Sequence, residues 1–356
     1  MRLMHFIAAP AAGGAEVYVK DLCKAMVREG HDVHLVFLSR AEEIGRDPDY
    51  EQRYLKEVDS AGVAYSFMPP GSRRSPFKSG LHLKKIVSDY SPDLLHCHLY
   101  YSLLFAFFVS SVPVVYTHHN ILLKVPAWLY RIFDFRVTAY IGISQACANL
   151  LRSVSGRSVQ RIDNGVDFDR ILPVVARREV VPHVAMVGTL CEQKNYDLFL
   201  EAAALLGDIE FSVSIAGEGE SKYCLLKKVD DLGLVRKVSF LGNISNVKEL
   251  LAGADIFAMS SSWEGLPISL LEATAAGLPS IVTNVGGCSE VIHSCQSGVV
   301  VDESTPQEYA HALRSLIESH ASRCFYGDNA SRYCSKYSIQ HSAERHLALY
   351  DQLVRA

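Results

Sequence analysis

Two glutamates separated by seven residues, Glu264 and Glu272, are the part of this chain best suited to chemistry. They lie in Ser260-Ser-Ser-Trp-Glu-Gly-Leu-Pro-Ile-Ser-Leu-Leu-Glu272. Gly265 and Pro267 follow the first glutamate, and proline fits the first turn of a helix. The spacing therefore predicts a loop feeding a helix over 267–276 that stops at Gly277. Glu264 then precedes the helix and Glu272 falls in its second turn. Open backbone N–H groups between them favour an anion. A carboxylate, amide donors and a second carboxylate suit a ligand carrying hydroxyls, a phosphate and a ribose. Taken alone, the same pattern is a helix cap and an exposed helix residue.

Other residues point the same way. Lys194 immediately precedes a predicted helix over 195–206, where an ammonium and a helix N-terminus would reinforce each other on a phosphate. Gly13-Gly14 forms the first turn after the first predicted strand, where backbone can approach a phosphate. The G-x-G-x-x-G fingerprint is absent, which argues against a nicotinamide-type dinucleotide. Asp167-Phe-Asp169 has the form of a metal-holding pair, but it follows the turn Asn164-Gly-Val and reads as structural. No His/Cys/Asp cluster has metal spacing, so neither metal nor cofactor is expected.

These residues need elements to position them. A chain of 356 residues is long for one core and calls for two domains. Its 49% hydrophobic and 21% charged content describe a globular protein. The nine cysteines are scattered with no C-x-x-C pair, as fits free thiols in a reducing compartment. Met1 leads almost directly into an apolar strand, with no signal-peptide pattern. The apolar run Leu99–Val115 approaches membrane-spanning length, but Pro113 breaks it; a buried helix over 99–110 and a strand over 112–116 account for it. Net charge is −4 and unevenly spread. Residues 1–165 hold 19 Lys+Arg against 15 Asp+Glu, net +4; the remainder holds 16 against 24, net −8. A basic half points to an anionic partner.

From the first strand at 2–9 the chain alternates strand and helix to a strand at 159–163, with helices expected at 17–28, 43–61, 77–90, 99–110, 125–135 and 144–151. Residues 168–182 lack periodicity, carry two prolines and read as an interdomain linker. A second alternating series starts with a strand at 183–187 and closes with helices at 306–319, about 322–334 and 339–354. Strands separated by helices mean right-handed crossovers and parallel sheets, with ligands at the carboxyl ends of the strands. The fold class is thus α/β: two tandem, doubly wound, Rossmann-like domains over 1–167 and 168–338.

At this level the sequence resembles a family-4 glycosyltransferase of the GT-B fold. The resemblance rests on ordered signatures: Gly13-Gly-Ala-Glu16, His96-Cys-His98, Thr117-His-His119-Asn120, Asn164-Gly-Val-Asp167, Val187-Gly-Thr-Leu-Cys-Glu-Gln-Lys-Asn195, Ile215-Ala-Gly-Glu-Gly219, Phe240-Leu-Gly242, the two-glutamate element and Asn284-Val-Gly-Gly-Cys-Ser-Glu290. It implies a nucleotide sugar held mainly by the C-terminal domain, an acceptor held by the N-terminal one, reaction in the cleft between them, and a last helix (339–356) crossing back to the first domain. It implies retention of anomeric configuration, by front-face attack of an acceptor hydroxyl with the departing phosphate taking the proton.

Residue by residue, the resemblance gives Lys194 the donor diphosphate, Glu272 the ribose hydroxyls, and Glu264 and His119 the transferred sugar. His118 competes with His119 for that role. Gly14, Gly188, Thr189, Gly217, Asn243, Gly265 and Leu266 join them in binding donor or nucleotide. Thr189 departs from the family, which usually has arginine there. His96 and His98 read as packed or supporting histidines. A UDP-sugar is favoured as donor, with a GDP-sugar as the alternative. The acceptor is expected to be a glycan or lipid-linked hydroxyl in bacterial cell-surface polysaccharide or glycoconjugate assembly. Arg73, Arg74, Lys78, Lys84 and Lys85, and the segment Trp128, Leu129, Tyr130, Arg131, Phe133 and Arg136, suit an anionic membrane surface. The expectation is a cytoplasmic protein, peripheral at the inner face of the membrane, with no nucleic-acid partner. A non-catalytic two-domain sugar-binding protein and a nucleotide-sugar 2-epimerase stand as alternatives.

Overall fold

A computed structural model describes residues 1–174, 181–244 and 246–355. The chain divides into two compact units, one of residues 1–165 with 339–356 and one of residues 166–338. Of the linker expected over 168–182, residues 175–180 lie outside the described residues. Phe168–Arg170 forms a 3-10 turn in the second unit, and the Val174 N–H donates to Ala276 O at 2.9 Å.

The first unit runs β1 (Arg2–Ile7), α1 (Gly14–Arg28), β2 (Asp32–Phe37), α2 (Pro48–Ser60), β3 (Ala64–Phe67), α3 (Pro76–Tyr90), β4 (Leu94–Cys97), α4 (Tyr100–Ala106), β5 (Val114–His118), α5 (Ala127–Phe133), β6 (Ala139–Gly142), α6 (Gln145–Val154) and β7 (Ser158–Arg161). Its strands form one parallel sheet in the order β3-β2-β1-β4-β5-β6-β7. Met4, Phe6, Val36, Leu95, Val114 and Tyr140 form its core, as near-continuous apolar strands buried on both faces should.

Local chemistry corrects two expected boundaries. A helix over 43–61 was expected, but α2 begins at Pro48. Asp47 accepts the Asp49 N–H at 2.9 Å and Pro48 supplies the first helical residue, so the helix starts there. The helix expected over 99–110 ends at Ala106. Arg136 donates to the carbonyls of Ala106 at 3.0 Å and Val112 at 2.6 Å, and also to Val109 O. A guanidinium thus ties off the helix end and the loop after it. Among the described residues, no helix is long and apolar enough to cross a membrane.

The second unit runs β8 (His183–Val187), α7 (Tyr196–Ala204), β9 (Ser212–Ala216), α8 (Lys222–Asp231), β10 (Val238–Gly242), α9 (Val247–Ala252), β11 (Ile256–Met259), α10 (Ile268–Ala275), β12 (Ser280–Thr283), α11 (Cys288–Cys295), β13 (Gly298–Val301), α12 (Pro306–Glu318) and α13 (His320–Tyr333). Its parallel sheet has the order β10-β9-β8-β11-β12-β13. Val184, Phe199, Val213, Ile215, Ile256 and Ile281 belong to its core. The last helix, α14 (Ile339–Arg355), packs on α1 of the first unit, where Tyr18 and Ser342 share a 2.8 Å hydrogen bond.

Both sheets reverse their strand order once: between β1 and β4 in the first, between β8 and β11 in the second. In open α/β sheets the carboxyl ends of the strands that flank such a reversal are where ligands bind.

Candidate active site

In the second unit, the loops after β8 and β11 meet at the reversal. Lys194 ends a 3-10 turn over Glu192–Lys194, and Asn195 adopts a left-handed conformation (φ 45°) before α7. Hydrogen bonds stitch this loop to the glutamate loop. The Ser262 N–H donates to Gln193 O at 2.8 Å, and Ser260 Oγ donates to Asn195 O at 2.9 Å. The stitching brings Lys194 Nζ to 2.6 Å from Glu264 Oε1. Ser261 Oγ donates to the same oxygen at 2.8 Å, and Gln193 Nε2 donates to Oε2 at 3.2 Å. The Glu264 residue is 5% exposed. Such a carboxylate is stable only with charge and hydrogen-bond partners, and here it has three.

The glutamate loop is pressed from behind by Val285-Gly286-Gly287. Gly286 has φ +52°, and a Cβ there would lie 1.7 Å from Glu264 O. The Gly287 N–H donates to Gly265 O at 2.8 Å. Only glycine allows this approach. Gly217 plays a similar part beside β8: a Cβ on it would lie 1.9 Å from Gly188 O. The Gly188 N–H donates to Ala216 O at 3.0 Å and the Gly217 N–H to Gly242 O at 2.8 Å, so these two amides clasp neighbouring loops. Thr189 is exposed on the loop after β8, and Asn243 is exposed after β10.

Helix α10 starts at Ile268, with Pro267 as its cap and Leu266 buried just before it. Glu272 lies in its second turn, but not bare: Arg170 Nη2 sits 3.6 Å from Glu272 Oε1. Asp167 Oδ1 accepts the Asp169 N–H at 3.2 Å, so the first aspartate of the Asp-x-Asp pair caps the turn that carries Arg170.

In the first unit, Gly14 opens α1, exposed, just after the extended Gly13. His119 follows β5 directly and is the end of a buried histidine group. His5 on β1 pairs in register with His96 on β4, and His98 ends that strand's turn. His5 Nδ1 is 3.1 Å from His98 Nε2, and His98 Nδ1 is 3.1 Å from His119 Nε2. His96 is held by the hydroxyls of Thr117, at 2.7 Å from Nε2, and of Tyr350 at Nδ1. His346 on α14 binds Ser342 O through Nδ1 at 2.8 Å. Burial pushes the pKa of His5 and of His119 down to about 3, with His346 as a further cause at both. Burial likewise takes His118 and His346 to about 4. Burial, and then the neighbouring histidines, hold His96 and His98 well below the usual range. At neutral pH these are uncharged rings. His118 turns to Tyr116, whose hydroxyl lies 3.1 Å from its Nδ1.

The structure therefore joins Lys194 to Glu264, sets Glu272 beside Arg170, and places His98 against His119. Sequence reasoning missed Ser261, Gln193, Arg170, His5 and His346. Ser261 and Gln193 stood next to residues already singled out. His5 and His346 carried a weaker signal, a histidine within an otherwise apolar stretch. In the basic-aromatic segment, Tyr130 and Phe133 are buried and Arg136 is spent on carbonyls, so only Trp128, Arg131 and neighbours face solvent.

The sequence model for Glycosyltransferase Family 4 matches residues 12–170, and that for Glycosyl transferases group 1 matches residues 167–337. The N,N'-diacetylbacillosaminyl-diphospho-undecaprenol alpha-1,3-N-acetylgalactosaminyltransferase of Campylobacter jejuni is 30% identical over 174 residues, a match spanning 49% of this chain and 46% of that protein. The UDP-Gal:alpha-D-GlcNAc-diphosphoundecaprenol alpha-1,3-galactosyltransferase of Escherichia coli is 23% identical over 393 residues, covering 99% of this chain and 97% of that one. The crystal structure of Anabaena Alr3699/HepE in complex with UDP and glucose has a TM-score of 0.82 at 18% identity, covering 99% of this chain and 100% of that one.

Proposed function

This chain belongs to the family-4 glycosyltransferases, with the GT-B fold, and we propose that it moves a hexose-type sugar from a UDP-sugar to a hydroxyl of a glycan or lipid-linked acceptor, retaining the anomeric configuration. The observation that carries this reading is the Lys194–Glu264 pair at the strand-order reversal of the second unit. Leaving-group charge develops on a diphosphate, and a preorganised ammonium lowers that barrier. When the donor arrives, Lys194 exchanges Glu264 for phosphate oxygens. Ser261 and Gln193 keep the carboxylate in place to accept sugar hydroxyls. Glu272 accepts the ribose hydroxyls, with Arg170 fixing its carboxylate. His119 contacts the transferred sugar.

The UDP donor is supported by UDP in the Anabaena structure and by the UDP-Gal named for the Escherichia coli relative. The lipid-linked acceptor is supported by the diphospho-undecaprenol named for two relatives. We propose transfer without a metal, because Lys194 supplies the cation and Asp167 is spent on capping. We also propose that the first unit touches an anionic membrane surface. Phe77, Trp128 and Phe135 are 66%, 63% and 83% exposed, and Arg73, Arg74, Lys84, Lys85 and Arg131 are exposed as well.

The test is a panel of UDP- and GDP-sugars, with and without undecaprenyl-diphosphate-linked glycan. Free nucleoside diphosphate and the anomeric signal of the product are read. Acceptor-dependent release from a UDP-sugar, unaffected by EDTA, is expected. Release without acceptor that yields free sugar epimers would favour the epimerase, and tight donor binding with no release the binding protein. Sedimentation with anionic liposomes tests the surface. It is expected to fall on charge reversal of Arg73, Arg74, Lys84 and Lys85, and an unchanged pellet would remove the membrane from the proposal.

A further inference from the structure

The positive charge of the first unit is concentrated in one stretch. Residues 60–133, from just before β3 to the end of α5, hold 7 Lys+Arg against 2 Asp+Glu, net +5. The rest of residues 1–165 holds 12 against 13, net −1. One of the two acids, Asp93, is spent on the Arg2 N–H at 2.7 Å. Of the seven cations, only Arg131 has a carboxylate within 4.0 Å among the described residues, that of Asp134. Cations that share a stretch without counter-charges favour an anionic ligand.

One of the seven is held in place. Arg73 lies in the 3-10 turn Ser72–Arg74 that leads into α3. Gly71 turns the chain there with φ +76°. Ser72 Oγ donates to Pro69 O at 2.6 Å, and Ser79 Oγ on α3 donates to Ser72 O at 2.9 Å. The Arg73 guanidinium lies over Tyr101, 5.8 Å from the ring centre, and the Tyr100 and Tyr101 rings are 4.3 Å apart between centres. A guanidinium held by a ring face keeps its N–H groups for another partner. Burial and then Tyr101 push the Tyr100 phenol up to about 12, with Arg73 drawing it down, so it keeps its proton at neutral pH.

Tyr101 stands three residues beyond His98, past the carboxyl end of β4, and His98 touches His119 at 3.1 Å. Arg73, Tyr101, His98 and His119 thus form a connected path within the first unit. Phe77 and Leu81, four and eight residues after Arg73, are exposed on α3. An anionic head on an apolar chain matches this combination better than a simple anion does.

We propose that Arg73, seated on Tyr101, binds the diphosphate of the lipid-linked acceptor and so holds the acceptor's sugar towards His119. The inference rests on the lipid-linked acceptor of the proposed function. In the acceptors named for the two undecaprenol-using relatives, a sugar is joined to diphospho-undecaprenol. A guanidinium offers two parallel N–H bonds to phosphate oxygens, which a lysine cannot match.

Transfer is measured to two acceptors with the same sugar, one on a prenyl diphosphate and one on a plain alkyl chain. Arg73→Met is expected to raise KM for the diphosphate acceptor about 30-fold and to move that for the alkyl glycoside far less. Tyr101→Leu, which frees the guanidinium, should raise the former about threefold. Calorimetry with farnesyl diphosphate, in the presence of UDP to fill the donor site, reads binding by the full chain without turnover. Affinity should fall about 30-fold in Arg73→Met, and neither inorganic diphosphate nor farnesol should bind the wild type as well. Equal loss on both acceptors overturns the inference. No farnesyl diphosphate binding by the wild type, or undiminished binding in Arg73→Met, overturns it as well. If the wild type transfers sugar to neither acceptor, the proposed function falls and calorimetry still decides the role of Arg73. A drop in liposome sedimentation in Arg73→Met with undiminished farnesyl diphosphate binding gives Arg73 to the membrane surface and overturns the inference.

Discussion

The two units share one plan and fill it with opposite chemistry. Each reverses its strand order once and gathers polar side chains at the reversal. In the second unit those groups are charged and paired: Lys194 with Glu264, Arg170 with Glu272. In the first they are neutral rings, packed against and hydrogen-bonded to one another. Burial explains the contrast. A buried charge needs a partner, whereas a buried histidine can shed its proton. The second unit is thus suited to an anionic ligand, the first to directional hydrogen bonds that carry no charge.

Breaking the charged pair should have the largest effect. Lys194→Met is expected to lower turnover by about 100-fold or more, as loss of a donor to developing charge does. It should also cost about 3 kcal/mol, because Glu264 stays buried without its cation. Lys194→Met with Glu264→Gln should recover most of that stability and none of the turnover. Steady-state kinetics and urea unfolding read the two apart.

Acid should act on the first unit instead. An unfolded histidine titrates near 6.5, whereas folded His5 and His119 titrate at about 3, and His118 and His346 at about 4. Between those values the unfolded chain binds more protons than the folded one. Stability is therefore whole above about pH 6.5 and is lost as pH falls towards 4, by up to about 1.4 kcal/mol per pH unit for each such histidine. The chain has two tryptophans, Trp128 in the first unit and Trp263 in the second. In Trp263→Phe and Trp128→Phe variants each remaining tryptophan reports one unit. The Trp128 signal should change at the higher pH, and coincident transitions would dissolve the contrast.

A smaller break tests the backbone behind the charged pair. Gly286→Ala puts a methyl against Glu264 O in a left-handed conformation, and should cost about 3 kcal/mol in a thermal melt. The smallest effect should come from Arg170→Gln. It removes one partner of a partly buried ion pair whose atoms are 3.6 Å apart, and should raise donor KM by up to about fivefold with kcat unchanged.

Much of the fold was legible because its signals are local. Alternating apolar runs gave two parallel α/β series, and Pro267 with Gly277 bracketed α10 to within a residue at each end. Two boundaries misled for reasons periodicity does not carry. Asp47-Pro48 offered a better start than the apolar pattern at residue 43, and Arg136 came from a distant loop to tie off α4. Part of the site was legible as well. The element from Glu264 to Glu272 and Lys194 stood out by type and spacing, but nothing local said that Lys194 and Glu264, 70 residues apart, would touch.

The sequence alone therefore determined the class of fold, the order of its motifs and the residue types brought to bear, since periodicity, caps and turns are written in neighbouring residues. Only the tertiary structure decided the pairings: Lys194 with Glu264, Arg170 with Glu272, and the ring line from His5 through His98 to His119. Which loops face each other depends on strand order, and strand order follows from how crossovers pack, which no short stretch of sequence records.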